Sequence, residues 1–248
     1  MLTIERHDTI LSLLSTHEAV SLQLLMDETN SSESTIRRDL STLEKEGKLI
    51  RVHGGAKRTV EKHRDIALSV KTTKFVAEKN DIAKQAAALV QDNDCIYLDA
   101  GSTTLAMIPH LNQQHLTVVT NGLTHVPPLV EQGIEVYMVG GYVKSSTYAH
   151  VGVQARTMLD SFSFDKAFMG ANGVDLIHGL TTPDIEEAAI KTAAVRKSKH
   201  SYFLIDDSKF DETTFAKICD LEDVQLITNK TNPFYAKYKA YIKQGGTK

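Results

Sequence analysis

The sequence predicts an α/β chain in two parts: a small N-terminal helical unit ending in a β-hairpin, then a larger Rossmann-like parallel sheet covered by helices. Three patterns carry this prediction. Apolar residues at helical spacing run through the first 45 residues, and Gly47 follows as a helix stop. Leu49-Ile50-Arg51-Val52 then makes a short strand-like run into His53-Gly54-Gly55. From Cys95 onward, apolar runs alternate with helix-patterned segments, and small polar or glycine residues follow the runs. At 248 residues the chain has room for two domains, and 42% hydrophobic with 24% charged residues is ordinary for a globular protein.

In the first part, Thr3 is the expected cap of a helix whose buried stripe is Ile4, Ile10, Leu11 and Leu14, running to about Ser15. Val20 and the stretch LQLLMDE predict a second short helix. Asn30-Ser31-Ser32 makes a turn, with Ser32 capping a third helix. There Ile36, Leu40 and Leu43 form the buried stripe, while Ser34, Thr35, Arg37, Arg38, Ser41 and Lys45 occupy the other faces. Three closely spaced helices followed by a basic hairpin predict a winged helix-turn-helix closing near Arg58, a domain spanning residues 1–58. In that reading Arg37 and Arg38 meet the major groove of a duplex with Ser32, Ser34 and Thr35 nearby. Arg51, His53 and Gly54 approach from the wing. A charged surface helix beside an ordinary hairpin satisfies the same periodicity. Charge placement favours an anionic partner: residues 37–74 hold eleven Lys and Arg against five acids, a net of +6, in a chain whose overall charge is -3.

Residues 59–74 are polar and basic and are expected to be a linker, in part helical; the second domain is expected over 75–248. Phe75 to Val90 carries an alanine-rich helical face. Strands are expected at 95–98, 117–120, 136–139, 166–169, 202–205 and 224–228. Pro109 should end or kink the helix after the first of these, and Pro127-Pro128 should fall in the first turns of the next. A long helix is expected from Asp184 to Lys199. Parallel sheets of this kind bind ligands at the carboxyl ends of their strands.

Those strand ends supply the candidate ligand residues. Asp99, Gly101, Ser102, Thr103 and Thr104 sit where a strand turns into a helix, so a close backbone, free amides and hydroxyls meet there. A capped helix start uses the same residues. Gly140-Gly141 followed by Lys144 offers backbone freedom and a cation, and fits a tight turn with a surface lysine equally well. Asn121, Gly170, Asn172, Asp184 and Lys191 complete the set; acids such as Asp184, Glu186 and Glu187 also suit a helix N-terminus regardless of function.

The stretch STIRRDLSTLEKEGKLIRVHGGA, Ser34 to Ala56, closely resembles the signature of the DeoR family of bacterial transcription repressors. LDAGSTT, TVVTNGL, MVGG, FMGANG and GLTTPDIEEAAIK resemble the sensor domain of the same family. The resemblance implies operator DNA as one partner and a phosphorylated sugar as effector. It implies a sensor fold similar to ribose-5-phosphate isomerase and a homo-oligomeric assembly. DCIYLDAGSTT, TVVTNGLTH, FDKAFMGANG and TFAKICDL are similar to the fructose-operon repressor subgroup, whose effector is fructose 1-phosphate.

An isomerase fused to a DNA-binding domain is the rival expectation. Isomerases of this fold carry an aspartate-glycine-alanine-aspartate-glutamate stretch for acid–base work. The matching residues here are Met169-Gly170-Ala171-Asn172-Gly173, without either aspartate. The isomerases' later lysine- and glycine-rich loop is replaced by His178-Gly179-Leu180-Thr181-Thr182. The expectation is therefore binding without turnover, with no catalytic residue and no cofactor. The ten scattered histidines suggest no metal site, and Cys95 and Cys219 are expected to be buried small hydrophobes. No apolar run reaches the roughly 20 residues of a membrane span, and MLTIERHDTI lacks a signal peptide's apolar stretch, so a cytoplasmic location is expected.

Overall fold

The computed structural model describes residues 2–17, 19–46, 48–58, 67–229 and 231–243. The chain divides into two compact units, Met1–Glu61 and Lys62–Lys248. Gly47, expected as a helix stop, and the first half of the expected linker lie outside the described residues.

The first unit runs α1 (Thr3–Thr16), β1 (Ala19–Ser21), α2 (Leu22–Thr29), α3 (Glu33–Lys45), β2 (Leu49–Val52) and β3 (Gly55–Arg58). Ser21 Oγ caps α2 by accepting from the Leu24 N–H at 3.1 Å. Ser32 Oγ caps α3 by accepting from the Thr35 N–H at 3.4 Å. Ile10, Leu14, Leu25, Ile36, Leu40, Leu43 and Leu49 form one buried cluster with Val20 and Ala56. Burying each large member contributes about 1.5–3 kcal/mol.

Three expectations need correction in this unit. Thr3 is the first helical residue, and the cap position falls on Leu2, whose N–H donates to Glu5 Oε2 at 2.9 Å. Ile4 is 76% exposed, because its position on α1 turns away from the cluster. Val20 belongs to β1, which pairs antiparallel with β3 (Val20 opposite Ala56), giving a three-stranded sheet in the order β1-β3-β2. Gly55 sits in that pairing because a Cβ there would stand 2.0 Å from the Val20 carbonyl oxygen.

The second unit begins with α4 (Leu68–Thr73) and α5 (Val76–Ala87). Next come β4 (Cys95–Leu98), α6 (Ser102–Met107), β5 (Thr117–Thr120), α7 (Val126–Glu131) and β6 (Glu135–Met138). Pro109 ends α6 as expected, the chain tightening into a 3-10 turn over Ile108–His110. A short pair, β7 (Tyr142–Val143) and β8 (His150–Val151), leads to α8 (Val153–Leu159) and β9 (Phe164–Met169). The remainder is β10 (Gly173–Asp175), β11 (Gly179–Thr182), α9 (Ile185–Arg196), β12 (Ser198–Leu204), β13 (Ala216–Cys219), β14 (Gln225–Ile227) and α10 (Tyr235–Tyr238).

Six strands form one parallel sheet in the order β14-β12-β9-β4-β5-β6, with Ile96 opposite Val118 and Leu98 opposite Phe168. Alternation along β4 explains why both faces are buried. Ile96 and Leu98 pack with Ile82, Ala83 and Ala86 of α5, whereas Tyr97 joins Ile190 and Ala194 of α9. A separate antiparallel sheet, β10-β11-β13, flanks this core. Cys219 is buried but Cys95 is only half-buried; both are free thiols.

From β4 the chain steps to β5 and β6 on one side; β9, β12 and β14 fill the other. The strand order therefore reverses between β4 and β9, and a crevice must open above their carboxyl ends. No helix among the described residues is long and apolar enough to cross a membrane.

Candidate functional site

In the first unit every predicted DNA-contacting residue lies on an accessible surface. Ser32, Ser34, Arg37, Arg38, Arg51, His53 and Gly54 are exposed and Thr35 is half-buried. Arg37 bonds Glu33 one turn back at 2.7 Å; both side chains are more than half exposed, so the pair is weak and a phosphate can displace the acid. Arg51 is more committed. Its guanidinium donates to Ser41 Oγ at 2.6 Å and its N–H to Glu44 Oε1 at 2.9 Å, which ties the wing strand to α3.

Behind this surface, Asp39 of the Arg-Arg-Asp run points inward and is 5% exposed. It accepts from Arg6 Nε at 2.5 Å and Nη2 at 3.2 Å and lies 3.1 Å from His7 Nε2, anchoring α3 to α1. Burial opposes the charge of Asp39, but Arg6 and His7 outweigh it and hold the carboxyl below its ordinary value.

In the second unit a cleft opens where the strand order reverses. Its floor is the ion pair of Asp99, after β4, and Lys191, on α9; they are 1% and 4% exposed. Asp99 Oδ2 also accepts from the Gly170 N–H at 3.2 Å, so the ends of β4 and β9 are tied together at this point. Gly101, Ser102, Thr103 and Thr104 line one side, where α6 starts without a side-chain cap. Gly170, Ala171 and Asn172 line the other, and Thr182 Oγ1 donates to Asn172 Oδ1 at 3.2 Å. Thr104 turns its hydroxyl away, donating to the Asp99 carbonyl at 2.6 Å.

Among the described residues, five lysines reach the cleft, Lys71, Lys74, Lys79, Lys191 and Lys209, against three acids, Asp99, Glu187 and Asp206. Most of them carry little or no signal in the sequence. Lys71 and Lys74 fell in the expected linker, where only the basic run marked them. Lys209 follows β12 within the strand-end stretch Asp206 to Lys209. Lys79 had no local signal: it is 6% exposed, and burial pushes its pKa down to about 8, with Asp206 favouring and Lys209 and Lys71 opposing its charge.

Five predicted ligand residues do not line the cleft. Asn121 is consumed structurally, its Oδ1 accepting from the Ala100 N–H at 2.8 Å and its Nδ2 donating to the His150 carbonyl at 3.2 Å. Gly140 and Gly141 sit beyond β6. At Gly141, with φ of +127°, a Cβ would stand 2.4 Å from the Val151 carbonyl oxygen, so glycine serves strand packing there. Lys144 is held between Glu187 at 2.7 Å and Asp184 at 3.0 Å. Asp184 caps α9 by accepting from the Glu187 N–H at 2.9 Å; burial opposes its charge, but that amide and Lys144 hold its carboxyl below the ordinary value. No group of three or more His, Cys, Asp or Glu side chains suited to a metal ion occurs among the described residues.

Residues 6–62 match the DeoR-like helix-turn-helix domain, and residues 74–230 match the DeoR C terminal sensor domain. The chain belongs to the DeoR family. It is 45% identical to the uncharacterized HTH-type transcriptional regulator FruR of Bacillus subtilis (strain 168) over 229 residues, 92% of this chain and 91% of that one. It is 33% identical to the lactose phosphotransferase system repressor of Staphylococcus epidermidis over 240 residues, 95% of each chain. Among solved structures, ribose 5-phosphate isomerase A of Methanocaldococcus jannaschii overlays 53% of each chain with a TM-score of 0.40 at 20% identity. As a DeoR-family regulator the chain pairs a DNA-binding unit with a sensor unit, and the cleft lies in the sensor.

Proposed function

We propose that this DeoR-family protein is a cytoplasmic, symmetric oligomeric repressor of a sugar-utilisation operon, with a phosphorylated sugar, fructose 1-phosphate, as the effector that lowers its affinity for operator DNA. The observation that carries the reading is the lysine-rich cleft at the strand-order reversal. A phosphate dianion needs fixed donors and a neutralising cation. The amides and hydroxyls of Gly101 to Thr103 supply the donors, and Lys79 and its neighbours supply the charge. Asp99, Asn172 and Glu187 offer acceptors to sugar hydroxyls. The name of one relative, lactose phosphotransferase system repressor, supports a sugar-linked role.

Thermal melting with sugar phosphates tests the binding. Fructose 1-phosphate is expected to raise the melting temperature of the full chain and fructose to leave it unchanged. At 100-fold excess over Kd the stabilisation amounts to about 2.7 kcal/mol. No shift with any sugar phosphate contradicts the proposal.

Binding should also depend on pH. Burial holds Lys79 at about 8, and a phosphate beside it favours the charged form. Binding above that value therefore takes up a proton, and affinity falls as pH rises through about 8, by up to about tenfold per unit. Titrations giving one affinity from about pH 7 to 9 remove Lys79 from the phosphate site.

The cleft should not isomerise ribose 5-phosphate, since Met169 and Asn172 stand where isomerases of this fold carry carboxylates. Turnover above about 1 s⁻¹, within the ordinary enzyme range, would restore the enzyme reading.

A further inference from the structure

α4 is the first described helix of the second unit, and it walls the cleft. Leu68 lines the cleft, is 5% exposed and donates its N–H to the Ser146 carbonyl at 2.8 Å. A helix of six residues has little stability of its own, so its position depends on what holds its ends. The far end is held by a side chain from α5: the Lys79 ammonium donates to the carbonyls of Lys71 and Lys74, the latter at 2.8 Å. These are carbonyls of the kind a helix C-terminus leaves without intrahelical partners. Lys79 lines the cleft as well. Between α4 and α5, Phe75 adopts φ of 54° and ψ of 40°, a left-handed conformation that bulky side chains occupy only where their surroundings impose it.

We propose that α4, hinged at Phe75 and latched by Lys79, is the element that passes occupancy of the cleft to the DNA-binding unit. The proposal rests on the reading that the cleft takes a phosphorylated sugar. A phosphate dianion is a stronger acceptor for an ammonium than two neutral carbonyls, so a ligand draws Lys79 off the latch. Lys71 and Lys209 also bear on Lys79 and favour anion entry, whereas Asp206 and Glu78 hold its charge in place. Once the latch is lost, the backbone strain at Phe75 favours departure of α4 over its retention. The ligand shifts this equilibrium by its difference in affinity for the latched and released states.

Hydrogen exchange on the full chain, run beside thermal melting, tests the proposal with fructose 1-phosphate and inorganic phosphate as probes. Fructose 1-phosphate should raise the melting temperature while the amides of Leu68, Val70 and Lys71 exchange about tenfold faster or more. Amides of β4 and β5 should stay protected. Inorganic phosphate should produce the same loss of protection at higher concentration, because the latch responds to the anion. Lys79→Met, which keeps an apolar stem as long as the lysine's carbon chain and removes the donor, should show fast α4 exchange without ligand. It should also bind operator about fivefold more weakly or worse in the ligand's absence. A melting shift with unchanged or slower α4 exchange overturns the latch and leaves the binding reading standing. Parent-like operator affinity in a folded Lys79→Met protein also overturns the latch. No melting shift with any sugar phosphate overturns both. If Lys79→Met does not fold, exchange in the parent protein decides.

Discussion

Asp39→Ala is expected to cost the DNA-binding unit about 3–5 kcal/mol, because it strands the Arg6 guanidinium, 9% exposed, without its acid. A unit of about 60 residues has a total stability of the same order, roughly 3–9 kcal/mol. The variant should therefore lose the first unit's folded state and operator binding together, while the sensor still melts as a unit. Denaturant titration followed by probes in each unit measures this. A loss below about 1 kcal/mol would mean that water screens the pair as it does a surface one. The same pair sets an acid limit. Because the folded carboxyl lies below its ordinary 3.8, its stabilisation is complete above that value and disappears as pH falls through the lowered one.

Arg37→Ala with Arg38→Ala should abolish measurable operator preference while leaving stability within about 0.5 kcal/mol of the parent, since both side chains are exposed surface groups. Each arginine that reads a base edge contributes about 1–3 kcal/mol per half-site, and a symmetric operator counts that loss twice. An arginine that meets only phosphate instead weakens all sequences alike and lowers the salt slope by about one. Fluorescence titrations of operator and scrambled duplex at several salt concentrations separate the two roles. Parent-like operator affinity in the double variant would remove α3 as the reading helix. Arg51→Ala differs in kind: it releases the tie to Ser41, so its first effect is on the wing's position.

The contrast between Asp39 and its two neighbours shows what a sequence displays and what it hides. The stripe of Ile36, Leu40 and Leu43 marked the buried face of α3 because helical period is local. Nothing local marked Asp39 as the partner of Arg6, 33 positions away. Strand β1 is not legible in the sequence because three residues cannot display a period, and its pairing with β3 is a contact across the unit. In the sensor, the runs of β4, β5 and β9 were legible because strands buried on both faces are continuously apolar. The antiparallel β10-β11-β13 sheet leaves no such mark, because its short strands lack continuous apolar runs.

The ligand residues divide along the same line. Asp99 and Gly101 to Thr103 follow β4, and Gly170 and Asn172 follow β9. Strand ends predicted them, and the strand-order reversal brings them together. Lys144 looked like a phosphate cation because it follows a glycine pair, but the acids that occupy it lie 40 and 43 residues later. Lys79, on α5, lies at the cleft with its ammonium on the Lys71 and Lys74 carbonyls, a placement that no sequence period displays.

The most direct test of the whole account is operator affinity of the full-length protein, titrated with and without saturating fructose 1-phosphate. A coupling free energy of about 1–3 kcal/mol predicts that affinity falls about 5- to 150-fold, and that operator DNA weakens fructose 1-phosphate binding by the same factor. Operator affinity that is unchanged or strengthened by fructose 1-phosphate would contradict it.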